Sequence, residues 1–219
     1  MRKLDFSALL PYADALVEGL IFTVVLTLVS TLAGIAVGTV GAWARTSGPR
    51  WAGGLVAAYV EVIRNTPFIV QLFFIFFGLP AAGVKLSEAS AAFLAMTINL
   101  GAYSTEIIRA GIDATPKGHW EAGLSLAMSR FEVFRHVVLA PAFKKVWPAL
   151  SSQIIIVMLG SSVVSQISAE DLTYAANFIQ SRNFRAFEVY FLVTALYLAL
   201  SIAMRAALAA LGAKLFPKV

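Results

Sequence analysis

At 219 residues, 59% hydrophobic and only 13% charged, the chain is too apolar for a soluble domain, which rarely exceeds about half apolar residues. The apolar residues run along its whole length, so the composition describes a polytopic membrane protein and not a globular domain with one anchor. There is no cysteine, which excludes thiolate metal sites, disulfides and cysteine nucleophiles, and the net charge of +5 reports orientation in a bilayer before it reports partners.

Residues 1–18 are mixed. Arg2 and Lys3 precede an apolar stretch, but Asp5 and Asp14 interrupt it and no small-residue cleavage site follows, so it reads as a short interfacial helix and not a signal peptide. Residues 19–44 carry no charge and are long enough to span. Gly34 and Gly38, one turn apart, let another helix approach closely. Arg45 and Arg50 close this span around the turn Ser47-Gly48-Pro49. Residues 51–80 form a second span, broken at Asn65-Thr66-Pro67, because proline lacks a donor and disfavours helix at the residue before it. Freed backbone at that depth is tolerated only inside protein or beside water. Glu61 and Arg64 lie one turn apart and could pair. On these residues alone, a proline kink with a snorkelling arginine explains the segment.

The third span covers residues 89–112. Asn99 and Glu106 are polar at membrane depth, which is costly unless they serve a cavity or pair internally. Glu106 fits either a polar cavity or a pair with Arg109 at the helix end. Residues 115–141 are neither apolar enough to cross a membrane nor loose enough to be a tail. Thr115 is an N-cap candidate with Pro116 in the first turn, and Ser129 with Glu132 is a capping box. Two short helices are therefore expected, meeting at residues 127–129, with Phe131, Phe134, Val137 and Val138 on an apolar underside.

The fourth span, residues 146–169, is uncharged but holds Ser151, Ser152, Gln153, Ser161, Ser162 and Ser165. The serines can bond back to their own helix, and together with Gln153 they also fit a wet face. Arg182 and Arg185 lie in a polar loop before the fifth span, residues 187–213, which Arg205 extends by snorkelling. The fold class is all-α with five transmembrane helices.

Of 17 lysines and arginines, eleven fall on one side: Arg45, Arg50, Arg109, Lys117, Arg130, Arg135, Lys144, Lys145, Arg205, Lys214 and Lys218. Five fall on the other, Arg2, Lys3, Lys85, Arg182 and Arg185, with Arg64 left out as intramembrane. The positive-inside rule puts the first set in the cytoplasm, hence the N-terminus outside and the C-terminus inside. There is no G-x-x-x-x-G-K-[ST] loop, so the usual phosphate cradle is absent. His119 and His136 both fall in the polar loop, which disfavours an intramembrane serine–histidine enzyme, and nothing has metal-ligand spacing. The basic residues suit a solvated inner face and not a nucleic-acid surface.

Glu121-Ala122-Gly123, then Ala127, Val137, Leu139 and Pro141, resemble the E-A-A loop of bacterial ABC importer permeases. Gly123 stands where the family has alanine, Ala127 where it has glycine, and the proline falls one place late. The runs from Tyr59 to Pro67 and from Asn99 to Ile112, with Gln71-Leu72-Phe73-Phe74, resemble the polar amino-acid (histidine, glutamine and arginine) branch of that family. The resemblance covers nearly all of the chain, so it implies one type I permease domain over residues 19–216. The loop would be a cytoplasmic coupling helix in which Glu121, Ala122, Gly123, Leu124 and Ala127 meet a dimeric ATPase. That ATPase would hold the ATP and magnesium, with no cofactor in this chain. A substrate-binding protein outside, a second permease chain, an amino acid and membrane lipid are the other implied partners, in a bacterial inner membrane. The path residues would be Asn65, Asn99, Tyr103, Glu106, Gln153, Ser161 and Ser162. In this branch a lysine–aspartate pair precedes a run seen here as Ser161-Ser162-Val163-Val164-Ser165, and Leu159-Gly160 replace it. An aspartate there would suit a substrate ammonium. The replacement implies that a different sister permease supplies the ionic contact. A secondary transporter, which would usually show internal repeats, is the rival reading.

Overall fold

Away from water, a backbone satisfies its own N–H and C=O groups only in helices or in a closed barrel. The computed structural model, which describes residues 4–217, has helices and no strand among the described residues. Arg2, Lys3 and Lys218, used in the charge count, lie outside the described residues. With runs that join without a break taken together, the order is α1 (Phe6–Thr46), α2 (Arg50–Arg64), α3 (Phe68–Ala81) and α4 (Glu88–Asp113). Then follow α5 (Lys117–Ser125), α6 (Arg130–Ile167), α7 (Leu172–Asn183) and α8 (Ala186–Leu215). Helices α1, α4, α6 and α8 are each long and apolar enough to cross a membrane. Helices α2 and α3, bent by 110° at the Asn65-Thr66-Pro67 break, together make a fifth, broken span.

Two boundaries differ from the sequence expectation. The charge-free run 19–44 lies within α1, which starts as a tight 3₁₀ run, Phe6–Tyr12, and continues without a stop. The second short helix expected after Ser129 is the first turn of α6, continuous with the fourth span. A π-helical stretch, Phe134–Val138, makes that continuity possible just before Pro141. A proline ring clashes with the carbonyl one turn back, and the wider π turn opens the ladder there. The same device recurs in α3, where the π stretch Phe74–Gly78 precedes Pro80.

Helix α4 is the centre. Ala92, Ala95, Met96, Leu100, Ala102 and Ile108 on it have no exposed surface. Lipid tails are as apolar as leucine, so helices in a bilayer associate mainly through close packing and polar contacts. The α1–α4 seam shows this: a Cβ added at Gly34 would stand 2.9 Å from Leu100 side-chain carbon, and one at Gly41 2.6 Å from Thr105 Oγ1. At Gly38 an added Cβ would collide with the Ser104 Cβ and meet the Ser104 carbonyl carbon at 2.9 Å. Helix α8 is the opposite case, turning Phe191, Leu198 and Ile202 outward and burying few residues, among them Val189, Val193 and Leu208.

At the end of α1 nearer Phe6, Arg185 bridges Asp5 (3.2 Å) and Glu188 (3.1 Å). The buried Asp171 caps α7, accepting from Tyr174 N at 2.8 Å and Tyr197 Oη at 3.0 Å. Thr23 Oγ1 of α1 accepts from Leu172 N at 3.1 Å, so the seam continues onto α7. Burial pushes the Asp171 carboxyl up from 3.8 to about 6.

Candidate functional site

The break in the second span opens a cleft of about 460 Å³ between the α2–α3 junction, α4 and α6. That is within the range of about 300–1,000 Å³ common for small-molecule sites. Its polar walls are Thr66, Asn99, Tyr103 and Gln153, and its apolar walls include Phe68, Met96, Ile156 and Val157. On α4, Met96, Asn99 and Tyr103 recur at helical spacing on one face, as do Gln153, Ile156, Val157 and Gly160 on α6. No charged side chain lines the cleft.

Of the residues that the sequence offered for a path, the structure brings Asn99, Tyr103 and Gln153 together here. Asn65 is exposed and turns back on its own helix, its Nδ2 donating to the Glu61 carbonyl and carboxylate at 2.9 Å. Ser161 Oγ donates to Met158 O (2.7 Å) and Ser162 Oγ to Leu159 O (2.9 Å), so both serines bond back to their own helix outside the cleft lining. Thr66 and Gly160 line the cleft although neither stood among the sequence candidates. The proline break pointed to Thr66, but Gly160 carries no polar signal.

Glu106 lies one turn beyond Tyr103 on α4, outside the cleft lining. It pairs with Arg45 of α1 and with Arg109 (2.9 Å), and Arg109 reaches Asp113 at 2.6 Å. Its expected partner Arg109 is present, and Arg45 joins it from another span. The suggested Glu61–Arg64 pair does not form. The Arg64 guanidinium instead sits 5.4 Å from the Tyr103 ring centre, a cation–π contact. A line of polar groups thus runs along α4 from the cleft to the helix end, where Lys145 Nζ caps the Ala114 carbonyl at 3.0 Å.

Beyond that end, α5 projects. Thr115 does not cap it. Its hydroxyl bonds back to Gly111 O at 3.0 Å, and the helix starts one residue later without a side-chain cap. The Ser129–Glu132 capping box is formed, with Ser129 N donating to Glu132 Oε2 at 2.7 Å. Glu121, Ala122 and Leu124 face outward, and Leu124 and Leu126 are 46% and 77% exposed. Gly123 is buried, because a Cβ there would stand 2.7 Å from Val133 Cγ2. Ala127 has φ 60°, the left-handed region, which glycine adopts freely and alanine enters at a cost of roughly 1–2 kcal/mol. The elbow keeps the turn although the residue usual for it is missing.

Three comparisons bear on this architecture. The model of the family described as "Binding-protein-dependent transport system inner membrane component" matches residues 30–217. The glutamine transport system permease protein GlnP of Escherichia coli (strain K12) is 35% identical over 204 residues, which cover 92% of this chain and 93% of that protein. The L-cystine transport system permease protein TcyB of Bacillus subtilis (strain 168) is 39% identical over 165 residues, 75% of this chain and 70% of that protein. A crystal structure of an amino acid ABC transporter with histidines superposes with TM-score 0.86 and 34% identity, covering 97% of this chain and 100% of that one. The broken second span, the projecting α5 and these matches agree: the chain belongs to the binding-protein-dependent inner-membrane components, as a permease of the amino-acid ABC transporter kind.

Proposed function

We propose that the chain is one permease subunit of an ATP-driven importer of polar amino acids, and that the cleft at Asn99, Tyr103 and Gln153 is its half of the substrate path. The observation that carries the reading is the juxtaposition of a neutral, polar cleft with an exposed apolar elbow, joined by one polar line along α4. A neutral cleft suits a substrate like the glutamine or cystine named for the relatives. An exposed Leu124 and Leu126 beside Glu121 and Ala122, on a segment outside the spans, suit a partner in water.

In this reading α5 is a coupling helix on the cytoplasmic side and docks on a dimeric ATPase. That partner binds ATP and magnesium, and the chain itself catalyses no reaction. ATP closes the nucleotide-binding dimer, the coupling helices move, and the cavity between two permeases changes the side it faces. A binding protein outside delivers the amino acid, and the N-terminus lies outside with the C-terminus in the cytoplasm. Gly160 offers no carboxylate to a substrate ammonium, so the second permease is a different chain that does.

Ala122→Trp tests the coupling reading. It is expected to leave membrane insertion intact, because α5 lies outside the spans. It should weaken co-purification with the ATPase or leave hydrolysis running without uptake. Normal uptake would reduce the loop to a linker. Expression with the ATPase but no second permease tests the pairing: no assembly or no uptake is expected, and a homodimer that transports would refute it.

A further inference from the structure

Behind the cleft wall stands Gln71, in the first turn of α3 and only 8% exposed. Its carboxamide joins three segments. Nε2 donates to the Ile63 carbonyl at 2.7 Å and the Thr66 carbonyl at 3.0 Å, the backbone oxygens freed by the break, and reaches Thr66 Oγ1 at 2.9 Å. The Thr66 hydroxyl hydrogen is engaged on Val62 O (2.8 Å), so Thr66 Oγ1 accepts here and shares one of the two Nε2 hydrogens with a carbonyl. On the other side Gln71 Oε1 accepts from Asn99 Nδ2 at 3.0 Å.

The direction of this chain of bonds is fixed by chemistry. A carboxamide can be turned over, but a backbone carbonyl only accepts. Gln71 must therefore present nitrogen to the break and oxygen to α4. Asn99 must then present nitrogen to Gln71, which leaves Asn99 Oδ1 without a protein donor among the described hydrogen bonds, on a residue that lines the cleft.

We propose that Gln71 is a positioning residue for transport. It holds Asn99 so that this wall of the cleft offers a hydrogen-bond acceptor, which favours an N–H donor of the substrate (an ammonium, amide or guanidinium) over a carboxylate. The inference rests on reading the cleft as the substrate path. It also makes the broken span and the cleft wall share one carboxamide, so the bend cannot change without disturbing Asn99.

The test uses the complete transporter, this chain with its permease, ATPase and binding-protein partners, in proteoliposomes. The probe is whichever of radiolabelled glutamine, cystine and arginine the wild-type complex takes up fastest. Gln71→Leu and Asn99→Leu should each lower uptake about tenfold, since each leaves a polar group unpaired. The double variant should fall no lower than the worse single one, because the two act through the same contact. Losses that multiply to about a hundredfold would overturn the inference, as would wild-type uptake by Gln71→Leu beside an impaired Asn99→Leu. Wild-type uptake by Asn99→Leu would overturn the path reading and the inference with it. Asn99→Asp decides the case if Gln71→Leu does not assemble. Its ionised carboxylate would set an oxygen against Gln71 Oε1, whereas the protonated form can donate there and still offer an acceptor. Asn99→Asp should then take up the probe severalfold more slowly than wild type at about pH 8, where the carboxylate is ionised, and gain on it as pH is lowered to about 5; uptake equal to wild type at both ends would refute the positioning role.

Discussion

Helix α4 carries two interfaces of opposite kind. Towards α1 it packs without spare volume: Gly34 and Gly41 lie against the Leu100 and Thr105 side chains, Gly38 lies against Ser104 and the backbone beside it, none leaves room for a methyl group, and the Arg45–Glu106 pair closes one end. Towards the broken span it is held by reach: Tyr59 Oη donates to Ile98 O at 2.6 Å, Gln71 takes Asn99, and Arg64 lies over Tyr103. The first interface is insensitive to small rotations of side chains and intolerant of added atoms. The second adds these polar groups to an apolar core that Leu72 and Ile75 share with Ala92, Ala95 and Met96, and the cleft lies beside it. The difference is between a seam with no spare volume and one that borders an open cleft.

The sharpest way to break this comparison is Gly38→Val. The added carbons meet backbone of Ser104 and Thr105, which cannot step aside, and overpacking of this kind costs about 1–3 kcal/mol or more. Loss of monodisperse protein in detergent and a lower thermal midpoint are expected. The companion Gly160→Ala, at the cleft wall where an added Cβ meets nothing within 4 Å, should change neither. Equal behaviour of the two variants would mean that the seam is no tighter than the cleft.

Glu106→Gln should be the next largest effect. It leaves Arg45 and Arg109 facing each other without the shared carboxylate, with side chains 25% and 32% exposed. At that exposure the cost is about 1–2 kcal/mol, less than for a fully buried pair. Thermal midpoints of variant and wild type should converge as salt is raised; a gap that salt does not touch would assign the loss to packing and not to charge.

A pH dependence is expected at the far end of the seam, where Gly19 lets the Asp171 backbone lie against α1. The Asp171 carboxyl is raised to about 6 in the fold, so the folded chain holds an extra proton between its ordinary value of 3.8 and about 6. Stability from this group is therefore full below that window and falls as pH rises through it. Between about pH 4.5 and about pH 6.5 the wild-type midpoint should fall relative to that of Asp171→Asn. Parallel curves would place the titration elsewhere.

What the sequence determined by itself is what local chemistry dictates. The charge-free runs, much longer than the strands of a barrel, become helices, which satisfy their own backbone away from water. Pro67 breaks the second span, and Ser129 with Glu132 caps the start of α6, since both act within a turn of their own positions. The small residues of α1 announced a close contact, and the E-A-A-like order announced the loop. The tertiary structure decided which way each helix faces. Rotation about the helix axes sent Arg64 to Tyr103 instead of Glu61 and gave Glu106 a partner 61 residues away in Arg45. It also drew Gln71 across the break to Asn99, 28 residues away. A side chain at membrane depth bonds to whatever polar group its helix rotation presents, and that rotation is set by seams such as Gly34, Gly38 and Gly41 against α4, contacts that exist only once the spans have packed.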